Sequence, residues 1–254
     1  MYELITVAFS HFCEKARWVL DRNRVPYREH RYMPMFHFPA AIRANLSAGA
    51  GRADRASTRF STPILHGDGV HLADSSAIVR HIEPALFDHP EAAELDQRFG
   101  EELGPHSRRV GYWFCLGDPE LIFGLADRNV GVLQARFFRA TFPLGRRFLA
   151  RRLAVDESGY LRSAERTRRI ADEVGERLSD GRRYLCGDEF SAADLSFAAL
   201  FAPGILPGPE DFGAALPAFE ALPEDAQRLI TELREHPAGV FAKRMFREER
   251  WPKA

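Results

Sequence analysis

A hydroxyl and a thiol stand three residues apart where a predicted strand leads into a predicted helix. Ser10 and Cys13 lie in the stretch SHFCEKARW, directly after the apolar run ITVAF. The first turn of a helix carries about half a positive charge and unpaired N–H groups, so it favours an anionic sulfur. Ser10 could donate its hydroxyl hydrogen to a bound thiolate, and Cys13 could become a thiolate itself if solvent reaches it. The stretch alone equally allows a plain helix cap and a buried thiol, because serine caps helices well and cysteine packs as a small apolar residue.

Two further turns carry polar groups that fit the same kind of ligand. Thr62-Pro63 starts a predicted strand, and a cis bond there would present the Thr62 backbone to an extended ligand. Asp74 and Ser75 begin a predicted helix whose N–H groups favour a carboxylate, while the Asp74 side chain can accept from an ammonium group. A ligand with a thiol, a peptide backbone and an amino-acid head would meet all three turns.

The elements that must position these turns alternate in the first part of the chain. The predicted order is a strand over residues 2–9, a helix ending near residue 23, an extended run to residue 32, a short helix around residues 40–46, a hairpin in TPILHGDGVHLAD and a helix after Asp74 or Ser75. The first half is therefore predicted to be β-α-β, a variable connection, then β-β-α.

After Pro90 the apolar spacing is almost entirely helical. One helix is predicted to start at Ser191, with Asp194 three positions later as a short variant of a capping box. Breaks are predicted at residues 117–119 and at residues 142–143, and the elements between residues 115 and 155 stay open. A domain boundary is placed between residues 84 and 90 because prolines interrupt two apolar patterns there.

Composition excludes several classes of function. The chain has 254 residues, 45% of them hydrophobic, which favours two domains, and its net charge of -1 creates no field for nucleic acid or an anionic membrane. No apolar run approaches the ~20 residues that span a bilayer. Three scattered cysteines and the absence of a signal-like start predict a soluble protein of the reducing cytoplasm. No HExxH pattern and no Cys-x-x-Cys pair occurs, so no metal is expected.

Four segments, in chain order, resemble the glutathione transferase superfamily: SHFCEKARWVL, STPIL, LADSSAIVRHI and FSAADLSFAAL. The resemblance is to the cytosolic, bacterial-like type with serine at the first position of the Cys-x-x-Cys equivalent. It implies an α/β thioredoxin-like N-terminal domain (βαβ-ββα) over residues 1–85 that binds glutathione. It also implies an all-α C-terminal helical bundle domain over residues 86–254 that holds the electrophile, usually in a homodimer.

The resemblance assigns a role to each turn. Ser10 matches the catalytic serine or cysteine of the family, and Cys13 matches the second cysteine of the ancestral pair. Thr62 matches the residue that pairs with the cysteinyl backbone of glutathione, and Pro63 matches the cis proline.

The resemblance assigns residues to the γ-glutamyl end of glutathione but leaves the partner of the glycyl end open. Asp74 and Ser75 match the pair that holds the γ-glutamyl group, and Phe12 either lines the thiol site or packs beneath the helix. Family members often hold the glycyl carboxylate with a basic residue where this chain has Ser61. The basic residues of the preceding loop that could replace it are His37, Arg52 and Arg59.

Three functions from different classes follow. The first is conjugation of glutathione, as co-substrate, to a small apolar electrophile in detoxification, with Ser10 stabilising the thiolate. The second is a glutathione-dependent thiol-disulfide oxidoreductase in which Cys13 is the nucleophile. The third is a non-catalytic binding module, for which the arginine-rich stretch GRRFLARRLAV would be a partner surface or simply a solvated helix face.

Overall fold

The computed structural model describes residues 1–47 and 60–251, beginning with a four-stranded sheet and three helices. In chain order the elements are β1 Tyr2–Val7, α1 His11–Arg22, β2 Tyr27–Tyr32, α2 Phe38–Ser47, β3 Ile64–Gly67, β4 Val70–Leu72 and α3 Ser75–Ile82. The strand order is β2-β1-β3-β4, with β1 parallel to β2 and antiparallel to β3, and β3 antiparallel to β4. The predicted thioredoxin-like order is confirmed.

Strand register brings the three polar turns to one edge of the sheet. Ile5 pairs with Ile64 in the antiparallel β1–β3 ladder, and Leu65 pairs with Leu72 in the β3–β4 ladder. The carboxyl end of β1, the amino end of β3 and the carboxyl end of β4 therefore meet at the same edge. The turns that follow or precede those ends hold the candidate residues at positions 10, 62 and 74.

The second half of the chain is helical, as predicted. After a 3₁₀ turn at Pro84–Phe87 come α4 Pro90–Arg98, a π-helical turn Phe99–Leu103, α5 Gly104–Gly117, α6 Pro119–Asn129, α7 Val132–Leu153, α8 Glu157–Arg177, α9 Ala192–Ile205, a 3₁₀ turn Phe219–Ala221, α10 Glu224–Glu235 and α11 Pro237–Glu249. Helix α9 is buried along nearly its whole length and forms the centre of the bundle. The domain boundary after residue 85 stays a prediction.

The region left open by the sequence holds α6 and α7. The predicted break at residues 117–119 is confirmed: Asp118 caps α6, its Oδ1 accepting from Glu120 N at 3.0 Å. The predicted break at Phe142-Pro143 is wrong, because α7 runs through both residues. Phe142 is buried against the ring of Phe123, with centroids 5.1 Å apart, whereas Pro143 faces solvent, where water can bond the carbonyl that loses its helical partner.

Helix α1 carries charged side chains into the contact between the two halves. Lys15 is completely buried, and its ammonium group donates to Ser76 Oγ at 2.7 Å and pairs with Asp96 of α4. Trp18 donates its indole N–H to the carbonyl of Glu249 at 2.9 Å. These contacts fix the axis of α1 and thereby the turn that precedes it.

A second buried network surrounds Glu14. Its Oε2 accepts from Arg17 Nε at 2.9 Å and from Gly213 N at 3.0 Å, and its Oε1 accepts from Arg250 Nε at 2.6 Å. Arg17 also donates to the carbonyl of Ala8 at 2.9 Å. The network thus joins α1, the end of β1 and the C-terminal segment of the chain.

The capping box of α9 is formed as predicted. The Asp194 carboxylate accepts from Ser191 N at 2.8 Å and from Leu185 N at 2.7 Å, and Asp194 is fully buried. Loss of this carboxylate would leave buried backbone donors without a partner. Helix α9 therefore depends on Asp194 for its start.

Asp194→Ala is expected to lower the free energy of unfolding by about 2 kcal/mol, measured by urea denaturation. Asp156→Ala is the matched control, because Asp156 caps α8 at an exposed position by accepting from Gly159 N at 2.7 Å, where water can replace it. Equal losses in the two variants would contradict this prediction.

Within residues 1–47 and 60–251, none of the helices combines the length and the apolar character needed to cross a bilayer.

Candidate active site

A cavity of about 900 Å³ opens at the sheet edge where the polar turns meet. Among the residues named from the sequence, Ser10, Phe12, His37, Ser61 and Thr62 line it. The opposite walls come from the helical half and are mostly apolar, including Phe114, Leu149, Leu206, Phe212 and Leu222. The cavity thus has a polar corner at the turns and an apolar remainder.

Ser10 sits at the N-cap of α1 and faces the cavity. Its Oγ accepts from Cys13 N at 3.5 Å, and its backbone is extended with φ -73° and ψ 127°. Ser10 N donates to Val7 O at 3.0 Å, which holds the turn. The cap bond uses a lone pair of Oγ and not the hydroxyl hydrogen, so capping is compatible with donation to an anion in the cavity.

Cys13 is completely buried and is not part of the cavity lining. Burial raises the pKa of its thiol, an effect that the charge of Arg17 and the hydroxyls of Thr62 and Ser10 offset only in part. The sulfur is therefore a neutral, enclosed thiol. This geometry favours packing over nucleophilic attack as the role of Cys13.

Iodoacetamide is expected to leave Cys13 unmodified in the folded protein at neutral pH, because the thiolate is disfavoured and enclosed. Mass spectrometry of tryptic peptides checks this, with the urea-unfolded chain as the control in which Cys13 reacts fully. Fast alkylation of the folded protein at Cys13 would show that the thiol is accessible.

The Thr62–Pro63 peptide bond is cis. Thr62 is half-buried and lines the cavity, whereas Pro63 is buried and lies outside the lining. Thr62 immediately precedes the hairpin, so its backbone stands at the sheet edge beside the start of α1.

Asp74 and Ser75 lie at the same edge but outside the cavity lining. Asp74 is exposed and caps α3, with Oδ1 accepting from Ala77 N at 2.8 Å. Ser75 is the first residue of α3 and is buried. The capping bond uses one of the two carboxylate oxygens of Asp74, so a role in holding an ammonium group stays a prediction.

Phe12 lines the cavity and also packs against the core. Its ring lies against His11, with centroids 4.7 Å apart, and a Cβ at Gly104 would meet Phe12 Cζ at 2.3 Å. Only glycine at position 104 therefore allows α5 to approach the start of α1 this closely. Phe12 therefore both lines the cavity and packs against the core, the two alternatives that the sequence left open.

His37 is buried, with Nε2 bonded to the carbonyl of Phe60 at 2.9 Å. Burial lowers the pKa of this imidazole. A neutral ring that already bonds a carbonyl is a poor cationic partner for a glycyl carboxylate. The other two candidates, Arg52 and Arg59, lie outside the described residues.

The sequence analysis gave no role in the site to four residues that line the cavity, His11, Arg108, Tyr112 and Arg152. His11 Nε2 forms a hydrogen bond with Gly104 O at 2.9 Å, which links α1 to α5. Burial lowers the pKa of His11 to about 3, so the ring is neutral. Burial raises the pKa of the Tyr112 hydroxyl. The two arginines come from Arg-Arg pairs, and the sequence does not indicate which member of a pair faces inward.

One possible metal-binding group comes together away from the cavity. The ligand atoms of His89, Glu91 and Cys186 lie within 4.8 Å of one another. His89 Nδ1 already accepts from Glu91 N at 3.2 Å, and the Glu91 carboxylate pairs with Arg177. Two of the three ligands are therefore engaged in caps and ion pairs.

Comparison with known proteins agrees with this architecture. The family model for the glutathione S-transferase N-terminal domain matches residues 9–85, and that for the glutathione S-transferase C-terminal domain matches residues 133–224. No curated protein matches the chain by sequence.

Solved structures share the fold at low identity. Glutathione transferase GSTFuA3 from Phanerochaete chrysosporium is 18% identical, with 100% of this chain and 98% of that chain covered and a TM-score of 0.63. A possible glutathione S-transferase from Rhodopseudomonas palustris is 15% identical, with coverages of 98% and 94% and a TM-score of 0.58. With both domain matches in order on a thioredoxin-like sheet followed by a helical domain, the chain belongs to the glutathione S-transferase superfamily.

Proposed function

We propose that this protein conjugates glutathione to small, largely apolar electrophiles, with Ser10 stabilising the glutathione thiolate. The observation that carries the proposal is the position of Ser10 at the N-cap of α1, on the polar corner of a cavity whose other walls are apolar. The helix N-terminus and the hydroxyl together favour a thiolate over a thiol. The chain's own thiols near the cavity are poor nucleophiles, since Cys13 is enclosed and burial raises the pKa of Cys115, which lines the cavity, to about 12. The reactive sulfur is therefore assigned to the ligand.

Glutathione would lie along the edge where the three turns meet. Its cysteinyl backbone would pair with Thr62, its γ-glutamyl group would approach Asp74 and Ser75, and its sulfur would face Ser10. The sulfur loses its proton to solvent and attacks the electrophile, whose leaving group departs with the bonding electrons. The protein contributes a lowered thiol pKa and the positioning of both reactants.

The two alternative functions gain no specific support. A disulfide reaction needs an accessible nucleophile, and Cys13 is buried outside the cavity. For a binding module, the stretch over residues 145–155 would have to act as a surface. Its four arginines and Phe148 are exposed, but nothing in the structure shows a partner that covers them.

We also propose that the protein acts as a homodimer in the cytoplasm and serves detoxification, as the superfamily resemblance implies. Sedimentation equilibrium measures the assembly directly. A monomer at micromolar concentration that still turns over substrate would contradict the homodimer.

The experiment that tests the function combines binding and turnover. Calorimetric titration with glutathione should show one site per chain, and 1-chloro-2,4-dinitrobenzene should be converted to its glutathione conjugate, followed by absorbance. Absence of both glutathione binding and conjugation would overturn the proposal.

A further inference from the structure

Two guanidinium groups line the cavity on its helical side. Arg108 comes from α5 and Arg152 from the last turn of α7. Among the described residues of the lining, these two are the only permanently charged ones, and none is Asp or Glu. The cavity therefore carries positive charge that its own walls do not neutralise.

Arg108 is half-buried and stands over the Phe12 ring at 5.9 Å. Within residues 1–47 and 60–251 its guanidinium makes no hydrogen bond and no ion pair. Burial lowers the pKa of Arg108, Tyr112 opposes this effect, and the smaller effects of the Arg109 and Arg152 charges lower the pKa further. A partly desolvated cation beside like charges is costly unless an anion joins it.

The two guanidiniums are held near each other because the end of α7 packs on α5. Arg109 Nε donates to the carbonyl of Leu153 at 2.9 Å, which ties the end of α7 to the middle of α5. The neighbouring residue in each helix, Arg108 and Arg152, points to the cavity. Arg109 therefore joins the two helices, whereas the N–H groups of Arg108 can bond a ligand.

We propose that Arg108 and Arg152 bind an anionic oxygen group, such as a carboxylate, of the second substrate. This inference rests on the proposed function and narrows it: the preferred acceptor is an amphipathic electrophile, apolar at its reacting end and anionic at the other. A planar guanidinium donates two parallel hydrogen bonds to a carboxylate, and the surrounding walls, among them Phe148 and Leu149, suit an aromatic body.

The test compares 4-chloro-3-nitrobenzoate with its methyl ester as acceptors. Each kcat/KM is divided by the uncatalysed rate constant with glutathione, which removes the difference in intrinsic reactivity. The wild type should favour the carboxylate, and Arg108→Gln and Arg152→Gln should each lower the carboxylate-to-ester ratio about tenfold. Arg152→Lys should restore part of the ratio. Arg147→Gln, an exposed arginine of the same helix outside the cavity, should leave the ratio unchanged.

Calorimetry separates this inference from the proposed function. The unreactive analogue 4-methyl-3-nitrobenzoate is titrated into the glutathione-free protein and its variants. If neither acceptor is turned over, the proposed function fails, yet binding of the analogue that falls in Arg108→Gln and Arg152→Gln would still support the anion site. Analogue binding that is the same in both variants and the wild type would overturn the site, whether or not the enzyme is active.

A carboxylate of glutathione itself is the other source of the same chemistry. Titration with glutathione decides between the two sources. If the arginine variants lose glutathione affinity about tenfold and retain the wild-type carboxylate-to-ester ratio, the guanidiniums hold glutathione, and the inference about the acceptor is overturned. Unchanged glutathione affinity together with the lowered ratio supports it.

Discussion

Ser10→Ala is expected to lower kcat/KM for conjugation of glutathione about a hundredfold, the usual effect of removing one preorganised donor to a reacting anion. The thiolate would lose the hydroxyl donor while keeping the dipole of α1, so the pKa of the bound glutathione thiol should rise toward its free value. The rate is measured with 1-chloro-2,4-dinitrobenzene, and the thiolate is measured by ultraviolet absorbance of the binary complex as a function of pH.

The loss must be separated from the loss of a helix cap. Ser10→Ala removes an N-cap acceptor, which costs about 1 kcal/mol of stability. Ser10→Asp keeps a capping oxygen but places a negative charge at the sulfur, so we expect a folded protein with even lower activity. Cys13→Ala is the matched control and should retain conjugation. Wild-type thiol pKa and turnover in Ser10→Ala would refute the role of Ser10.

Local chemistry explains why the polar corner could be predicted from sequence. Each of the three turns has its own signal: a serine before an apolar helix, a proline at a strand start and an Asp-Ser pair before a second helix. The β-α-β and β-β-α pattern then predicts where the turns lie, because the strand directions bring Ser10, Thr62 and Asp74 to one edge.

The helical wall of the cavity could not be predicted in the same way. Which of two adjacent arginines faces the cavity depends on how α5 and α7 are rotated and packed, and a bond such as Arg109 to Leu153 joins residues far apart in sequence. Pro143 shows the same limit, because a local helix breaker is tolerated where the buried side of α7 packs well and the proline faces water.

Glu14→Gln is expected to lower the free energy of unfolding by about 2–3 kcal/mol, since it removes a buried negative charge that bonds both Arg17 and Arg250. Each arginine keeps one other carboxylate partner, Glu29 for Arg17 and Asp21 for Arg250, so neither charge is left fully unpaired. Glu14, Arg17 and Arg250 are all at most 1% exposed, so water cannot replace the lost carboxylate. Urea denaturation measures the effect. Glu165→Gln is the control, because its pair with Arg169 on α8 is exposed and should contribute little.

The wild type and Glu14→Gln should differ in free energy of unfolding, and the pH dependence of that difference tests whether the charge of Glu14 causes it. Burial alone would raise the pKa of the Glu14 carboxyl, but the guanidiniums of Arg250 and Arg17 outweigh burial and hold that pKa below its ordinary value. A carboxyl with a depressed folded-state pKa stabilises the protein above its unfolded pKa, about 4.3, and loses that contribution as the pH falls through the folded value. The gap between the wild type and Glu14→Gln should therefore be largest at neutral pH and shrink in acid. A gap that stays constant into strong acid would mean that shape, and not charge, makes Glu14 important.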